Sequence, residues 1–337
     1  MGVAGNLLAS RQLTSVRILV TGASGFIGGH LSAHLAGEGA DVRAFCRSEP
    51  PAEARAMEWV PGDVTDALAV RRAVAGCDAV VHAAAVYSYS RSDWPLVEAV
   101  NVEGTRNVLE SVSRGGTRLV MTSTSATCGP VPGRPATEHD HPPAWELRVP
   151  YKRTKVVAES LALAAARQGN DVVCVNPTTV LGPGDRLPTP SGKMVRDLVE
   201  GRITGYIAGA GINVVAVGDV ARGHALALEH GRSGERYILG GDDLSLRDAF
   251  ALTLAAVGRK PPRLALPWSA AYGAALAVDA VARALGGEPR LLVLHEVLLA
   301  RLPLFFSSAK ARAELGYRAR SAGETLAAAA RWFAATR

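Results

Sequence analysis

The sequence predicts an α/β fold: a parallel β-sheet covered on both faces by helices, with a smaller, mostly helical lobe at its C-terminal side. Three observations lead there. Short apolar, β-branched runs alternate with helix-length segments through the first half of the chain. A glycine-rich turn stands between the first such run and the first helical segment. At about Gly182 the composition shifts to a Gly/Pro-rich loop and then to alanine-rich helical sequence.

Strands are expected at residues 16–20, 41–46, 79–82, 117–122 and 171–175, each a short apolar run, with helices at 66–75, 95–114 and 150–168. Residues 182–193, rich in Gly, Pro and charge, read as a loop leaving the sheet. Residues 214–217 read as a return strand, followed by a helix over 219–230. Residues 244–333 read as helix broken at Pro261-Pro262, Gly286-Gly287 and Pro303. The organisation that follows is a flexible extension at 1–15, a dinucleotide-binding unit at 16–181 with a return segment at 213–240, and a substrate-binding lobe made of 182–212 and 241–337. The substrate would lie between the two, at the carboxyl ends of the strands.

The glycine turn reads Thr21-Gly22-Ala23-Ser24-Gly25-Phe26-Ile27-Gly28, directly after Val16-Arg17-Ile18-Leu19-Val20 and before a segment with Leu31 and Leu35 at helical spacing. Gly22 permits the tight turn, Gly25 lets the backbone approach a pyrophosphate, and Gly28 allows close helix–strand packing. The pyrophosphate would rest on the helix N-terminus, where free N–H groups and the dipole favour an anion. This defines the sheet as a doubly wound, Rossmann-type one.

Downstream, Tyr151-Lys152-Arg153-Thr154-Lys155 sets a phenol and an ammonium four residues apart, on one helical face. A free tyrosine titrates near 10 and is a poor proton donor or acceptor at neutral pH. The expectation is that the Lys155 ammonium favours the phenolate and lowers that value, which makes Tyr151 the general acid/base.

The G-x-x-G-x-x-G spacing with Y-x-x-x-K resembles the extended short-chain dehydrogenase/reductase family, and the resemblance runs from about residue 16 to about residue 333. Within the family, dihydroflavonol-reductase-like and hopanoid-associated epimerase-like proteins are the most similar, the latter through Pro188-Thr189-Pro190-Ser191-Gly192 and Phe305-Phe306-Ser307-Ser308-Ala309-Lys310. Asp63 in Gly62-Asp63-Val64 resembles the family's adenine-contacting aspartate, and Ala83-Ala84-Ala85 its small-residue turn after the fourth strand. Asn101 in Asn101-Val102-Glu103-Gly104-Thr105-Arg106-Asn107 resembles its structural asparagine, and Asn176-Pro177-Thr178-Thr179-Val180 its nicotinamide-side loop. The resemblance implies that Gly22, Ser24, Gly25, Phe26, Ile27, Gly28, Asp63, Val64, Ala83, Ala84, Ala85, Pro177, Thr179 and Val180 bind the cofactor. Lys155 would hold the nicotinamide ribose beside Tyr151. It also implies a hydroxyl at the end of the strand 117–122. Counting back from Gly129 this falls on Thr124, with Ser125 the alternative. A hydroxyl there would orient the reacting oxygen. His82, at the end of a buried strand, reads as structural rather than catalytic.

The second strand ends Phe45-Cys46-Arg47-Ser48. NAD enzymes usually place an acidic residue here to hold the ribose 2′-hydroxyl. Cys46 cannot do so, and the guanidinium of Arg47 suits a 2′-phosphate, so NADP(H) is favoured over NAD(H).

The family covers reductases, dehydrogenases, epimerases and dehydratases. Ser125-Ala126 follow Thr124 where dehydratases of this kind carry Asp-Glu, which speaks against dehydration. Nucleotide-sugar members carry an arginine before the strand leading into a V-D-D segment. This chain has Asn213 before Val214 and Gly218 in place of one aspartate. The expected activity is therefore reduction of a ketone or aldehyde, or oxidation of the alcohol, on a small organic or lipid-linked substrate. A sugar epimerase with retained cofactor is the alternative, and a non-catalytic cofactor sensor a more distant one.

Bulk properties set the remaining expectations. The net charge of +6 is scattered, with no aromatic-interleaved basic run, which argues against nucleic acid. Cys46, Cys77, Cys128 and Cys174 form no C-x-x-C or zinc pattern, so no metal is expected. They read as buried thiols of a cytoplasmic protein. Residues 1–15 lack a secretory signal, and Asn6 stands where myristoylation would need Ser or Thr after Gly2. No stretch reaches the length of a membrane span. The nearest, residues 264–278, reads as a substrate-lobe helix in preference to an oligomer face or a membrane contact; a homodimer is left open.

Overall fold

The computed structural model describes residues 16–48, 57–113, 116–289 and 292–336. The expected extension at 1–15 lies outside them.

A seven-stranded, all-parallel sheet forms the body, in the order β10-β6-β5-β4-β1-β2-β3. These strands are β1 (Arg17–Thr21), β2 (Asp41–Cys46), β3 (Glu58–Pro61), β4 (Ala79–His82), β5 (Arg118–Thr122), β6 (Val172–Pro177) and β10 (Arg236–Leu239). Every residue of β4, β5 and β6 is buried, as expected for strands covered on both faces.

One face packs on α1 (Phe26–Gly37), α7 (Val217–His230) and α11 (Ala309–Leu315), through Leu31, Leu35, Val220, Leu228, Leu315 and Tyr317. The other packs on α2 (Ala67–Val74), α4 (Gly104–Ser113) and α5 (Pro150–Arg167), through Val70, Val74, Val108, Val112, Ala158 and Ala162. Each buried Leu or Val on these faces stabilises the fold by about 1.5–3 kcal/mol relative to exposure. The expected helix over 95–114 is α3 (Trp94–Glu98) continued through a π-helical turn, Ala99–Glu103, into α4. From β1 the chain winds outward through β2 and β3; from β4 it winds the opposite way. The carboxyl ends of β1 and β4 therefore flank the crevice where ligands bind in such sheets.

Outside this sheet and its two helical layers lie α6 (Pro190–Val199), α8 (Leu246–Ala255), α9 (Trp268–Ala284), α10 (Leu294–Leu299) and α12 (Ala322–Ala335). Small sheets join them: β7 (Thr179–Leu181), β9 (Gly211–Ala216) and β11 (Asp242–Ser245) in one, β8 (Gly205–Ile207) and β12 (Leu264–Leu266) in the other.

Three expectations change. The run at 214–217 is not a strand of the main sheet: it belongs to β9, paired with β7 and β11, and Val217 already begins α7. The strand that returns is β10, beside β6. Residues 309–317 leave the lobe to which sequence assigns them, because Ala311, Leu315 and Tyr317 fill the core against α7. The apolar stretch 264–278 is β12 followed by the first part of α9 rather than a single helix. Among the described residues no helix is long and apolar enough to cross a membrane.

Candidate active site

A cavity of about 390 Å³ opens at the crevice beside β1 and β4. Gly22, Ser24, Gly25, Phe26, Ile27 and Gly28 line it. Gly22 has φ +70°, and a Cβ there would meet the Ala84 backbone at 2.7 Å, so the turn needs glycine. A Cβ on Gly28 would collide with the Gly22 carbonyl, which is the close packing the third glycine serves.

The start of α1 differs from that of α2. Asp66 caps α2 by accepting from the Leu68 and Ala69 N–H groups. Gly25 gives α1 no side-chain cap, and its first turn holds no acidic residue. The first turn of α1, which lines the cavity, thus keeps N–H groups without a side-chain partner, which suits a pyrophosphate.

Arg47, Asp63 and Val64, Ala83, Ala84 and Ala85, and Pro177, Thr179 and Val180 line it as well. Thr124, Tyr151 and Lys155 line the same cavity, so each residue proposed from sequence for cofactor or chemistry is found on one surface. Ser123, also lining it, has a buried Oγ with no partner among the described residues, a polar atom set for a ligand. An orphaned hydroxyl, an uncapped helix start and a buried ammonium fit a nicotinamide dinucleotide. The glycine turn and α1 would hold its pyrophosphate, and the Asp63 end its adenosine. Lys155 and the 177–180 loop would hold its nicotinamide half.

Lys155 is buried, and its Nζ donates to the Thr122 carbonyl at 2.7 Å. Burial lowers its pKa from 10.5 to about 8, with Glu159 opposing. Tyr151 does not follow the sequence expectation. Its phenol is pushed up rather than down: burial is the main cause, Tyr87 adds to it, and only a hydrogen bond with Thr124 opposes. The Lys155 ammonium points at a backbone carbonyl, so desolvation of the phenol wins. Thr124 also accepts from the Ala126 N–H at 3.3 Å, and its own carbonyl is held by Asn176 Nδ2 at 3.1 Å.

Asn101 behaves as a structural clamp. Its Oδ1 accepts from Val86 N–H at 2.8 Å, and its Nδ2 donates to the Val86 carbonyl and to Thr154 Oγ1. His82 is buried and bonded on both ring nitrogens, and burial lowers its pKa to about 3.

Sequence reasoning missed the aromatic and apolar wall. Tyr87 stacks on Tyr151 with centroids 4.3 Å apart, and Leu299, Leu304 and Phe306 line the cavity from the lobe. The paired phenylalanines at 305–306 were a signal for that wall; nothing local marked Tyr87.

Asn213, where a diphosphate-binding arginine would stand, is fully buried. It donates to the Gly241 and Phe306 carbonyls and to Asp243, and accepts from Thr178. Lys193, Arg196 and Arg202 do converge, but on Asp197, at 2.6, 3.5 and 2.5 Å. All four cysteines are buried and unpaired. Among the described residues no cluster of three or more His, Cys, Asp or Glu could hold a metal.

Residues 18–240 match the NAD dependent epimerase/dehydratase family. A provisionally named dihydroflavonol 4-reductase of Synechocystis sp. is 35% identical over 323 residues, covering 93% of each chain. The crystal structure of gox2253 superposes with a TM-score of 0.82 at 36% identity, over 96% of this chain and 99% of that one. The Thermus thermophilus UDP-glucose 4-epimerase complex with NAD superposes with a TM-score of 0.74 at 26% identity, over 95% and 100%. The chain belongs to the NAD dependent epimerase/dehydratase family, the extended short-chain dehydrogenases/reductases. It is an NAD(P)-dependent enzyme.

Proposed function

We propose that this enzyme reduces a ketone or aldehyde on a small, apolar or lipid-linked organic substrate, with NADP(H) as cofactor. One observation carries the reading: the cavity that Tyr151 and Thr124 line is also lined by Tyr87, which stacks on Tyr151, and by Leu299, Leu304 and Phe306. The position that would meet a substrate diphosphate is instead an internally bonded Asn213. Charged diphosphate desolvated against such a wall would lack partners.

The bound nicotinamide would supply hydride to the carbonyl carbon. Burial keeps the Tyr151 phenol protonated, the state required to donate a proton to the carbonyl oxygen as it gains charge. Thr124, bonded to that phenol, would hold the same oxygen. Lys155 would bind the nicotinamide ribose with its ammonium.

The cofactor preference rests on the rim. The Arg47 guanidinium is largely exposed and stands 3.9 Å from Asp63, too far for a tight pair, so a 2′-phosphate can recruit it. The Cys46 thiol donates to the Ser48 carbonyl and offers no acceptor for a ribose hydroxyl pair. Four buried free thiols support a reducing, cytoplasmic setting.

The test is NADPH oxidation with a panel of hydrophobic ketones and aldehydes, alongside calorimetric titration with UDP- and dTDP-sugars. Tyr151→Phe should bind NADPH yet lose roughly 10²-fold or more in turnover, the usual contribution of a general acid. Micromolar binding of a nucleotide sugar, with epimer formed and no net NADPH use, would establish the epimerase instead.

A further inference from the structure

His82 ends β4, next to the strand that carries the glycine turn. It is 2% exposed, yet both ring nitrogens are bonded. Nδ1 lies 2.8 Å from Oγ1 of Thr21, the last residue of β1. Nε2 lies 3.2 Å from Oγ1 of Thr105, in the first turn of α4.

The neighbouring bonds settle where each proton sits. Thr105 Oγ1 is 2.7 Å from the Asn101 carbonyl. A carbonyl only accepts, so the Thr105 proton lies there, and Thr105 must receive from Nε2–H. Nδ1 is then the bare acceptor and takes the Thr21 hydroxyl proton. Thr21 Oγ1 accepts the Ala84 N–H at 3.2 Å. The bonds run head to tail, from the Ala84 amide through Thr21, His82 and Thr105 to the carbonyl of Asn101.

We propose that His82, as the neutral Nε2–H tautomer, is a positioning residue that ties the cofactor-side turn at Ala84 to the π-turn that displays Asn101. Its effect reaches Tyr151 through short steps. Asn101 clamps both backbone groups of Val86, and Tyr87, the next residue, stacks on Tyr151. The proposal rests on the reading of Tyr151 as proton donor and of residues 83–85 as cofactor wall. Thr21, His82, Thr105 and Asn101 are each at most 2% exposed, so water cannot substitute for a missing partner. The one charged group that acts on the ring is the Lys155 ammonium, which together with burial disfavours a second ring proton. An added proton on Nδ1 would face Thr21 Oγ1 and leave the Thr21 hydroxyl proton without an acceptor.

The first measurement needs no substrate. Imidazole ¹⁵N spectra of the cofactor-free protein between pH 5 and 8 should show His82 protonated at Nε2 alone and unchanged across the range. A ring that titrates near the ordinary histidine value, or carries its proton on Nδ1, overturns the proposal.

The second uses two variants that each keep one half of the chain. In His82→Asn the side-chain amide sits at the level of Nδ1 and can still accept from Thr21. In His82→Gln the amide N–H sits at the level of Nε2 and can still donate to Thr105. Losing one buried hydrogen bond should cost about tenfold in the property it supports. His82→Asn should therefore lower kcat about tenfold and leave the NADPH Kd within about twofold. His82→Gln should do the reverse, and Thr105→Val should follow His82→Asn. Equal losses of kcat, affinity and Tm in both ring variants would mark His82 as packing only and overturn the proposal. If no ketone is reduced by the wild type, the reductase reading fails, while the tautomer and the two NADPH affinities still decide this one.

Discussion

Replacing Lys155 with methionine separates what this residue does for stability from what it does for function. The side chain is 4% exposed, and its pKa falls from 10.5 to about 8, chiefly through burial. A fall of that size disfavours the folded, charged ammonium by roughly 3 kcal/mol at neutral pH. Methionine keeps the stem and removes the charge. The variant also loses the 2.7 Å bond to the Thr122 carbonyl, which leaves a buried acceptor unpaired at a cost of about 1–3 kcal/mol. The net change favours Lys155→Met by about 0–2 kcal/mol. For a chain of this length 1 kcal/mol moves Tm by about 1.5 °C, so the cofactor-free variant should melt at the wild-type temperature or up to about 3 °C higher. The stability gain is fully present below pH 8. It shrinks as pH rises from about 8 to 10.5, because the wild-type lysine is discharged over that interval while the unfolded chain still holds the proton. NADPH, which should raise the wild-type Tm, should do so far less in the variant, and turnover should collapse. Calorimetry of both proteins with and without NADPH, from pH 7 to 10, is the assay. A variant that melts more than about 5 °C below wild type without cofactor, yet keeps the NADPH-induced shift, would refute the reasoning.

Two further outcomes are expected. Gly22→Ala should abolish measurable NADPH binding in a titration, because a Cβ at φ +70° both strains the turn by about 1–2 kcal/mol and displaces the Ala84 backbone 2.7 Å away. Arg47→Ala should weaken NADPH by roughly ten- to a hundredfold and leave NADH nearly unchanged, since only NADPH carries the phosphate that a charge-assisted contact would hold; equal effects in parallel binding curves would remove the basis for the NADP(H) preference.

Much of the site was legible because its signals are local. Gly22, Gly25 and Gly28 are spaced by the geometry of one turn, and Tyr151 and Lys155 by one turn of helix, so the chain itself carries their relation. The strands β1, β4, β5 and β6 were legible because both their faces are buried and each carries a run of at least three apolar residues. β3 was not, because Glu58, Trp59, Val60 and Pro61 form a partly exposed edge strand without an apolar run. β9 misled for the opposite reason: Gly211–Ala216 is fully buried and reads like a strand of the main sheet, but pairs with β7 and β11.

The sequence by itself determined the family and the class of enzyme, the glycine turn at a strand–helix junction, and the tyrosine–lysine spacing. The turn and the pair follow from residues a few positions apart, where turn and helix geometry leave little freedom; the family follows from motifs spread over most of the chain. Only the tertiary structure decided which charges remain available and which buried polar groups are paired. It set Lys193, Arg196 and Arg202 around Asp197, and buried Asn213 among backbone partners. It brought Tyr87 against Tyr151, and set both His82 ring nitrogens within hydrogen-bond distance of residues 61 and 23 positions away. It also reversed the expected shift of Tyr151, because the desolvation of a phenol depends on everything packed around it, and a spacing of four residues says nothing about that.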